Sequence, residues 1–170
     1  SKWNGEKNFY DPMCGSGTIP IEALMISSSI PPRLMRSHYT FKSWKMFDVG
    51  SYKQLVMEQT KRIKPLRNKI FASDNTLANI VLLKKSLSIL NQNSSIDMGV
   101  LDIADFNTES ANGTIIMNPP HGHRMSQVKS LEGLYRKIGD KLKNSCSGHD
   151  AYIFCMNNKL SKSIGLRRDR

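Results

Sequence analysis

The sequence predicts an α/β fold, a mostly parallel sheet with helices on both faces, and three observations carry that reading. Short apolar runs bounded by turn residues alternate with stretches of helical periodicity, which is the pattern of strand–helix–strand units. A glycine-rich turn, Asp11-Pro12-Met13-Cys14-Gly15-Ser16-Gly17-Thr18, joins the first apolar run to the first helical stretch. Finally, Asp11, Asp74, Asp102 and Asn118 each stand where an apolar run ends. A parallel sheet would bring all four to its carboxyl rim, where open α/β sheets hold ligands.

Residues 7–11 read as the first strand, and Gly17-Thr18 opens a helix through about Ser28. Pro20 is tolerated in its first turn, where no amide donor is needed. Ile21, Leu24 and Met25 form its apolar stripe, and Pro31-Pro32 ends it. An insert at about 31–67 follows. Its first part, Arg33 to Gly50, mixes bases with the aromatics Tyr39, Phe41, Trp44 and Phe47, and is too long for a simple connector. Packing is the expected role of those aromatics. Ser51 is expected to cap a helix carrying Leu55, Val56 and Ile63, ended by Pro65. Lys69 to Ser73 is the second strand. A helix from Asn75 or Thr76 to about Leu90 puts Leu77, Ile80, Val81, Leu87 and Leu90 on one face. Strands follow at Ile96–Leu101 and Thr114–Met117. A helix at about Ser130 to Lys143 carries Leu131, Leu134, Tyr135, Ile138 and Leu142. Ala151 to Met156 is the last strand, and residues 158–164 suit a short helix.

A chain of 170 residues with 39% hydrophobic content is expected to form one domain with its own core. The formal charge of +11 favours a polyanionic partner, nucleic acid first, over lysines scattered for solubility. Three cysteines without regular spacing give no disulfide framework. No apolar run reaches the roughly 18 residues of a membrane helix, and no signal-peptide pattern opens the chain, so the expectation is a cytoplasmic protein with no membrane partner.

The rim residues suggest the chemistry. Gly15 and Gly17 let the backbone approach a ligand, and free amides at a helix start favour a negative group. No Gly-Lys-Ser/Thr follows, and Pro20 stands where a dinucleotide fold has its third glycine. Alone, such a turn describes any tight strand–helix junction. Asp74 adds context, because a carboxylate at the second strand can accept from both hydroxyls of a ribose. Its delay well beyond the roughly twenty residues of dinucleotide folds is explained by the insert. Asp102 could accept from an adenine amino group. Either aspartate alone is equally a helix cap or a solvated carboxylate. In series with Asp11 they suit an adenosine with an amino-acid tail, and S-adenosylmethionine fits, since its sulfonium prefers an acidic rim.

Asn118-Pro119-Pro120-His121 is the sharper signal. An exocyclic amine on a base is a poor nucleophile because its lone pair is delocalised into the ring. The Asn118 side-chain oxygen and the Pro119 carbonyl can accept its two hydrogens and turn the lone pair towards a methyl group. Two prolines stiffen the loop, and the side chain at 121 would stack on the base. Other signals are weaker. Cys146 and His149 lack a second pair to complete a metal site, so no metal is expected. Cys14 reads as a packing residue. His123, Arg124, the stretch Lys61 to Lys69, and Lys159, Lys162, Arg167, Arg168 and Arg170 could meet phosphate or simply water.

With both motifs identified, residues 9–23, FYDPMCGSGTIPIEA, resemble motif I of the Rossmann-like (class I) methyltransferases that modify the exocyclic N2 of guanine in RNA. The likeness is nearest to the bacterial 23S ribosomal RNA guanine-N2 methyltransferases, and runs from about Trp3 to Arg168. The ribosomal group shares an insert like Pro32, Arg33, Arg36, Ser37, His38, Tyr39, Thr40, Phe41, Trp44 and Phe47; transfer-RNA guanine methyltransferases share the Asp11–Thr18 turn. Phe71 to Asp74 and Leu101 to Asp105 match the ribose and adenine positions, and Leu134 to Lys143 the helix after the Asn-Pro-Pro motif. The resemblance implies S-adenosylmethionine held by Asp11, Met13, Gly15, Gly17, Asp74, Asn75, Asp102, Ile103 and Asn118. It implies a catalytic role for Asn118, Pro119, Pro120 and His121, and large-subunit ribosomal RNA as partner. It also implies a sheet of strand order 3-2-1-4-5, and that residues 1–170 are a catalytic core, with a THUMP domain upstream and a final hairpin of two strands beyond Arg170. The chain departs from the family at His121, where Tyr or Phe is usual, and imidazole stacks with less area. Rival readings are a transfer-RNA enzyme, a methyltransferase of DNA adenine N6 or protein glutamine, and an RNA-binding module whose site has decayed.

Overall fold

Alternation along the strands decides what each face of the sheet buries. In β1 (Phe9–Asp11) Phe9 points to one side and Tyr10 to the other, and each is almost wholly excluded from water. The computed structural model describes residues 1–32, 39–92, 95–121 and 125–167, with side chains from 129 onward in the last span. After β1 the elements are α1 (Thr18–Ser27), a 3-10 turn (Thr40–Ser43), α2 (Val49–Thr60), β2 (Ile70–Asp74), α3 (Leu77–Ile89), β3 (Asp97–Val100), β4 (Gly113–Met117), α4 (Met125–Ser145), β5 (His149–Ile153) and α5 (Asn158–Ser163). The five described strands are all parallel, in the expected order β3-β2-β1-β4-β5.

On one face Ala23 and Leu24 of α1 and Ile80, Leu83 and Leu87 of α3 cover Phe9, Ile70 and Ala72. On the other, Ile138 and Leu142 of α4 cover Tyr10, Ile115 and Met117, while Tyr135, Leu160 and Ile164 join α4 to α5. Gly139 lies where α4 and α5 touch, and a Cβ there would run into the Ile164 carbonyl. No described helix is long and apolar enough to cross a membrane.

Several local expectations are corrected. The cap of α2 is Asp48, not Ser51: its carboxylate accepts from the amides of Gly50 (2.8 Å) and Ser51 (3.3 Å), so Ser51 lies inside the first turn. No residue of α2 is buried, and Leu55 is exposed, whereas Ile63 leaves the helix and packs with Leu66 under the first core. Of the insert aromatics, Tyr39, Phe41 and Phe47 cluster with Tyr52, but Trp44 is 67% exposed. In α3 Leu77 and Val81 face solvent, and the buried stripe is Ile80, Leu83 and Leu87. Helix α4 begins five residues earlier than its apolar periodicity indicates. Strand β5 runs His149–Ile153 rather than Ala151–Met156, and its early end has a definable reason. The amide of Phe154 still donates to Met117 O (3.0 Å), but the neighbouring chain then enters Pro119-Pro120, which offers no N–H to continue a ladder. Arg33, Arg36, Ser37, His38, Gly122, His123, Arg124, Arg168 and Arg170 lie outside the described residues.

Candidate active site

The sheet order sets the rim order: Asp102 beyond β3, Asp74 ending β2, Asp11 ending β1, and Asn118 just past β4. The glycine-rich turn folds back across this rim. Cys14 N–H donates to Ser73 O (2.9 Å), and Gly17 N–H to Cys14 O (2.9 Å). Gly15 N–H donates to Asp74 Oδ2 at 3.0 Å, tying the turn to the second strand. Both Gly15 (φ 55°) and Gly17 (φ 92°) adopt left-handed backbone, and a Cβ on Gly17 would collide with Leu83. Gly17 also serves as N-cap of α1, and among the described residues no side chain caps that helix, which leaves its first amides to other partners.

Asp74 is the organising carboxylate. Beside Gly15 it accepts from Thr76 N–H (3.0 Å) and from the Asn79 side-chain amide (2.9 Å) through Oδ1. Its own carbonyl takes Leu101 N–H at 2.9 Å, which places Asp102 one residue away. Asp102 is exposed and accepts from Ala104 N–H (2.9 Å); Ile103 behind it is buried. Asn75 is exposed at the mouth, and Met13 is half-buried against the second core. Asn79 is absent from the sequence-based site. It lies in the first turn of α3, and no motif marks it.

Asp11 is the strained member. Only 1% of it is exposed, Oδ1 accepts from Met13 N–H (3.2 Å), and Oδ2 has no hydrogen-bond partner among the described residues. Burial lifts its carboxyl from 3.8 to about 7, opposed by the Met13 amide and assisted by the negative charge of Asp74. An orphaned buried oxygen of this kind suits a cationic ligand group. Cys14 is buried, and burial, then Asp11 and Asp74, push its thiol up to about 12, so it is an inert packing residue as expected. Cys146 likewise belongs to the second core.

Across β1 from Asp74, the loop after β4 presents Asn118 and Pro120 exposed, Pro119 buried and His121 half-buried. The Tyr135 hydroxyl of α4 donates to Pro120 O at 3.2 Å. Burial, with Cys155 adjacent, raises that hydroxyl well above its ordinary range, so it stays protonated and a donor. Tyr135 reads from sequence as a core residue, and it is one; its second role as a brace of the loop is invisible to periodicity. The His121 ring meets Phe154 edge-on, centroids 5.3 Å apart. The basic candidates are less decisive. Lys61 to Lys69 holds mainly exposed cations, Lys69 pairing with Glu109 (3.1 Å), and Lys159 pairs with Glu132 (2.7 Å).

A doubly covered parallel sheet with a glycine turn, an acidic series and an Asn-Pro-Pro loop on one rim defines a Rossmann-like methyltransferase fold. The RMKL-like methyltransferase domain model, UPF0020, matches residues 1–170, and the chain belongs to that family. It is 32% identical over 169 residues to the ribosomal RNA large subunit methyltransferase K/L of Legionella pneumophila (strain Lens), covering 95% of this chain and 23% of that protein. It is 31% identical over 172 residues to the protein of the same name from Shewanella baltica (strain OS155), covering 94% of this chain and 23% of that protein. Among solved structures it resembles SMU.472, "a putative methyltransferase complexed with SAH", with TM-score 0.91 and 26% identity over 100% of this chain and 45% of that one. A Listeria monocytogenes protein described as "a predicted N6-adenine-specific DNA methylase" matches with TM-score 0.88 and 27% identity over 100% and 44%. The chain thus spans about a quarter to under half the length of these relatives.

Proposed function

We propose that this chain is the catalytic domain of an S-adenosylmethionine-dependent RNA methyltransferase acting on the exocyclic N2 of a guanine in large-subunit ribosomal RNA. The single observation that carries the reading is the placement of the acidic notch, Asp11 and Asp74 closed over by Gly15, one strand away from Asn118-Pro119. The names of the K/L relatives, and the SAH bound by SMU.472, support substrate class and cofactor.

The residues present fit such a donor. The orphaned Asp11 Oδ2 would receive its ammonium, the start of α1 its carboxylate, Asp74 its ribose, and Asp102 with Ile103 its adenine. Met13 and Asn75 would border it. When bound, the donor supplies an electrophilic methyl on sulfur. The protein's own work is orientation. The Asn118 side-chain oxygen and the Pro119 carbonyl take the two hydrogens of the guanine amine and aim its lone pair, while the buried Pro119 ring and the Tyr135–Pro120 bond hold those acceptors still. The proton released by the amine passes to water at the exposed Asn118 side, or to a nearby carboxylate. His121 would lie against the base.

Labelled methyl transfer to ribosomal RNA, transfer RNA, DNA and protein tests the proposal. Ribosomal RNA labelled at guanine N2 is the expected product. Asn118→Ala should lower turnover about 100-fold or more while donor affinity by calorimetry stays within about twofold. Label on adenine N6 of DNA, on transfer RNA or on glutamine would move the assignment to that substrate. Absence of donor binding would favour a decayed RNA-binding module.

A further inference from the structure

We propose that Phe154 forms, with His121, an aromatic corner that seats a purine extruded from RNA beside Asn118. The proposal rests on the reading of Asn118-Pro119 as the loop that holds the target amine. Three observations point to it. First, β4 and β5 are in register at Met117 and Ile153, and Phe154 N–H donates to Met117 O at 3.0 Å. Phe154 is therefore the β5-side neighbour of Asn118 on the rim. Second, its large apolar side chain is 59% exposed there, although its neighbour Ile153 packs into the core. Third, its ring meets that of His121 at 5.3 Å with 69° between the planes.

Two rings at that angle make a corner rather than a slot. A planar base can lay its face on one ring while its edge meets the other, and sequence-tolerant stacking of this kind is how proteins hold bases taken out of a helix. Among the described residues His121 Nδ1 is buried without a hydrogen-bond partner, and its imidazole ring rests edge-on against Phe154. A guanine docked on the corner would have its amine directed along the rim towards Asn118 and the acidic notch.

Steady-state methylation of ribosomal RNA by Phe154→Ala, Phe154→Leu and Phe154→Trp, with calorimetry of donor binding, tests the corner. Alanine should raise KM for RNA about 10- to 100-fold with donor affinity unchanged. Leucine keeps the apolar volume but removes the π face, so it should resemble alanine, while tryptophan should restore much of the loss. A Leu variant with wild-type KM would reduce Phe154 to packing and overturn the proposal. So would an Ala variant with wild-type KM, leaving the methyltransferase reading intact. A second readout does not depend on activity. With ring-labelled phenylalanine, guanosine monophosphate added with S-adenosylhomocysteine should move the Phe154 resonance upfield and leave Phe9, buried in the core, in place. If wild-type protein methylates no RNA, that reading fails, and an unmoved Phe154 signal then overturns the corner as well.

Discussion

Asp11 is where the site's electrostatics become measurable. Its folded-state carboxyl stands near 7, against an ordinary value of 3.8, mainly because burial disfavours the charge. A group raised in this way contributes stability that is fully present below about pH 4 and lost as the pH rises through about 7. Above that range the folded chain must bury an aspartate whose Oδ2 has no partner among the described residues. Asp11→Asn should therefore leave stability nearly unchanged at pH 4 and raise it at pH 8, by a few kcal/mol at most. Thermal melts across that range would show it, and an equal effect at both ends would refute it. The same protonation opposes a cationic ligand. Affinity for S-adenosylmethionine should rise about five- to tenfold between pH 6 and 7.5 in the wild type. In Asp11→Asn the affinity should be weaker and flat over that interval, as titration calorimetry would register.

At the scale of elements, the glycine turn, α3 and β2 act as one piece. Gly17 has φ 92° and no room for a Cβ against Leu83, and Gly15 N–H is bound by the carboxylate of Asp74. Gly17→Ala should cost about 1–3 kcal/mol of stability through overpacking and backbone strain. Adding Leu83→Ala opens a cavity of its own but relieves the clash, so the double variant should lose less than the two single losses summed. Chemical denaturation of the four proteins measures that coupling; simple additivity would show that α3 does not clamp the turn. The strand runs and the turn were legible in the sequence because apolar patterning and glycine are local signals. Legible too was the convergence of Asp11, Asp74, Asp102 and Asn118 at one rim, since parallel strands allow little else. What periodicity missed depends on the neighbours. Leu77 and Val81 share a helix with Leu83 yet face water, because only one stripe of α3 meets the sheet. Asp48 precedes the pattern it caps, and Asn79, the Tyr135 hydroxyl and Phe154 gain their places only when separate elements meet.

For the molecule as a whole, the distribution of charge would separate the two binding tasks that the proposed function requires. The chain carries +11 overall, yet its rim sets Asp11 and Asp74 against the glycine turn, with Asp102 beyond β3 on the same edge. On the proposed function, a small cationic donor would be met by the partly buried acidic notch, and the polyanion by exposed cations such as Lys61, Lys64, Lys162 and Arg167. These two kinds of attraction respond differently to salt. Exposed charges are screened over about 10 Å at 0.1 M salt, whereas Asp11 is sheltered by burial. Each phosphate neutralised on a single strand contributes about −0.7 to the slope of log affinity against log salt. Four such contacts would give a slope near −3, so raising salt from about 50 to 200 mM should weaken ribosomal RNA binding roughly 50-fold. Donor affinity should change less than about twofold over the same interval. Fluorescence anisotropy with a labelled RNA fragment, alongside calorimetry of the donor, checks both halves. RNA affinity indifferent to salt would mean that the positive charge is not the RNA-binding surface. A donor affinity that fell as steeply as that of RNA would mean that the acidic notch is open to solvent rather than sheltered by the glycine turn.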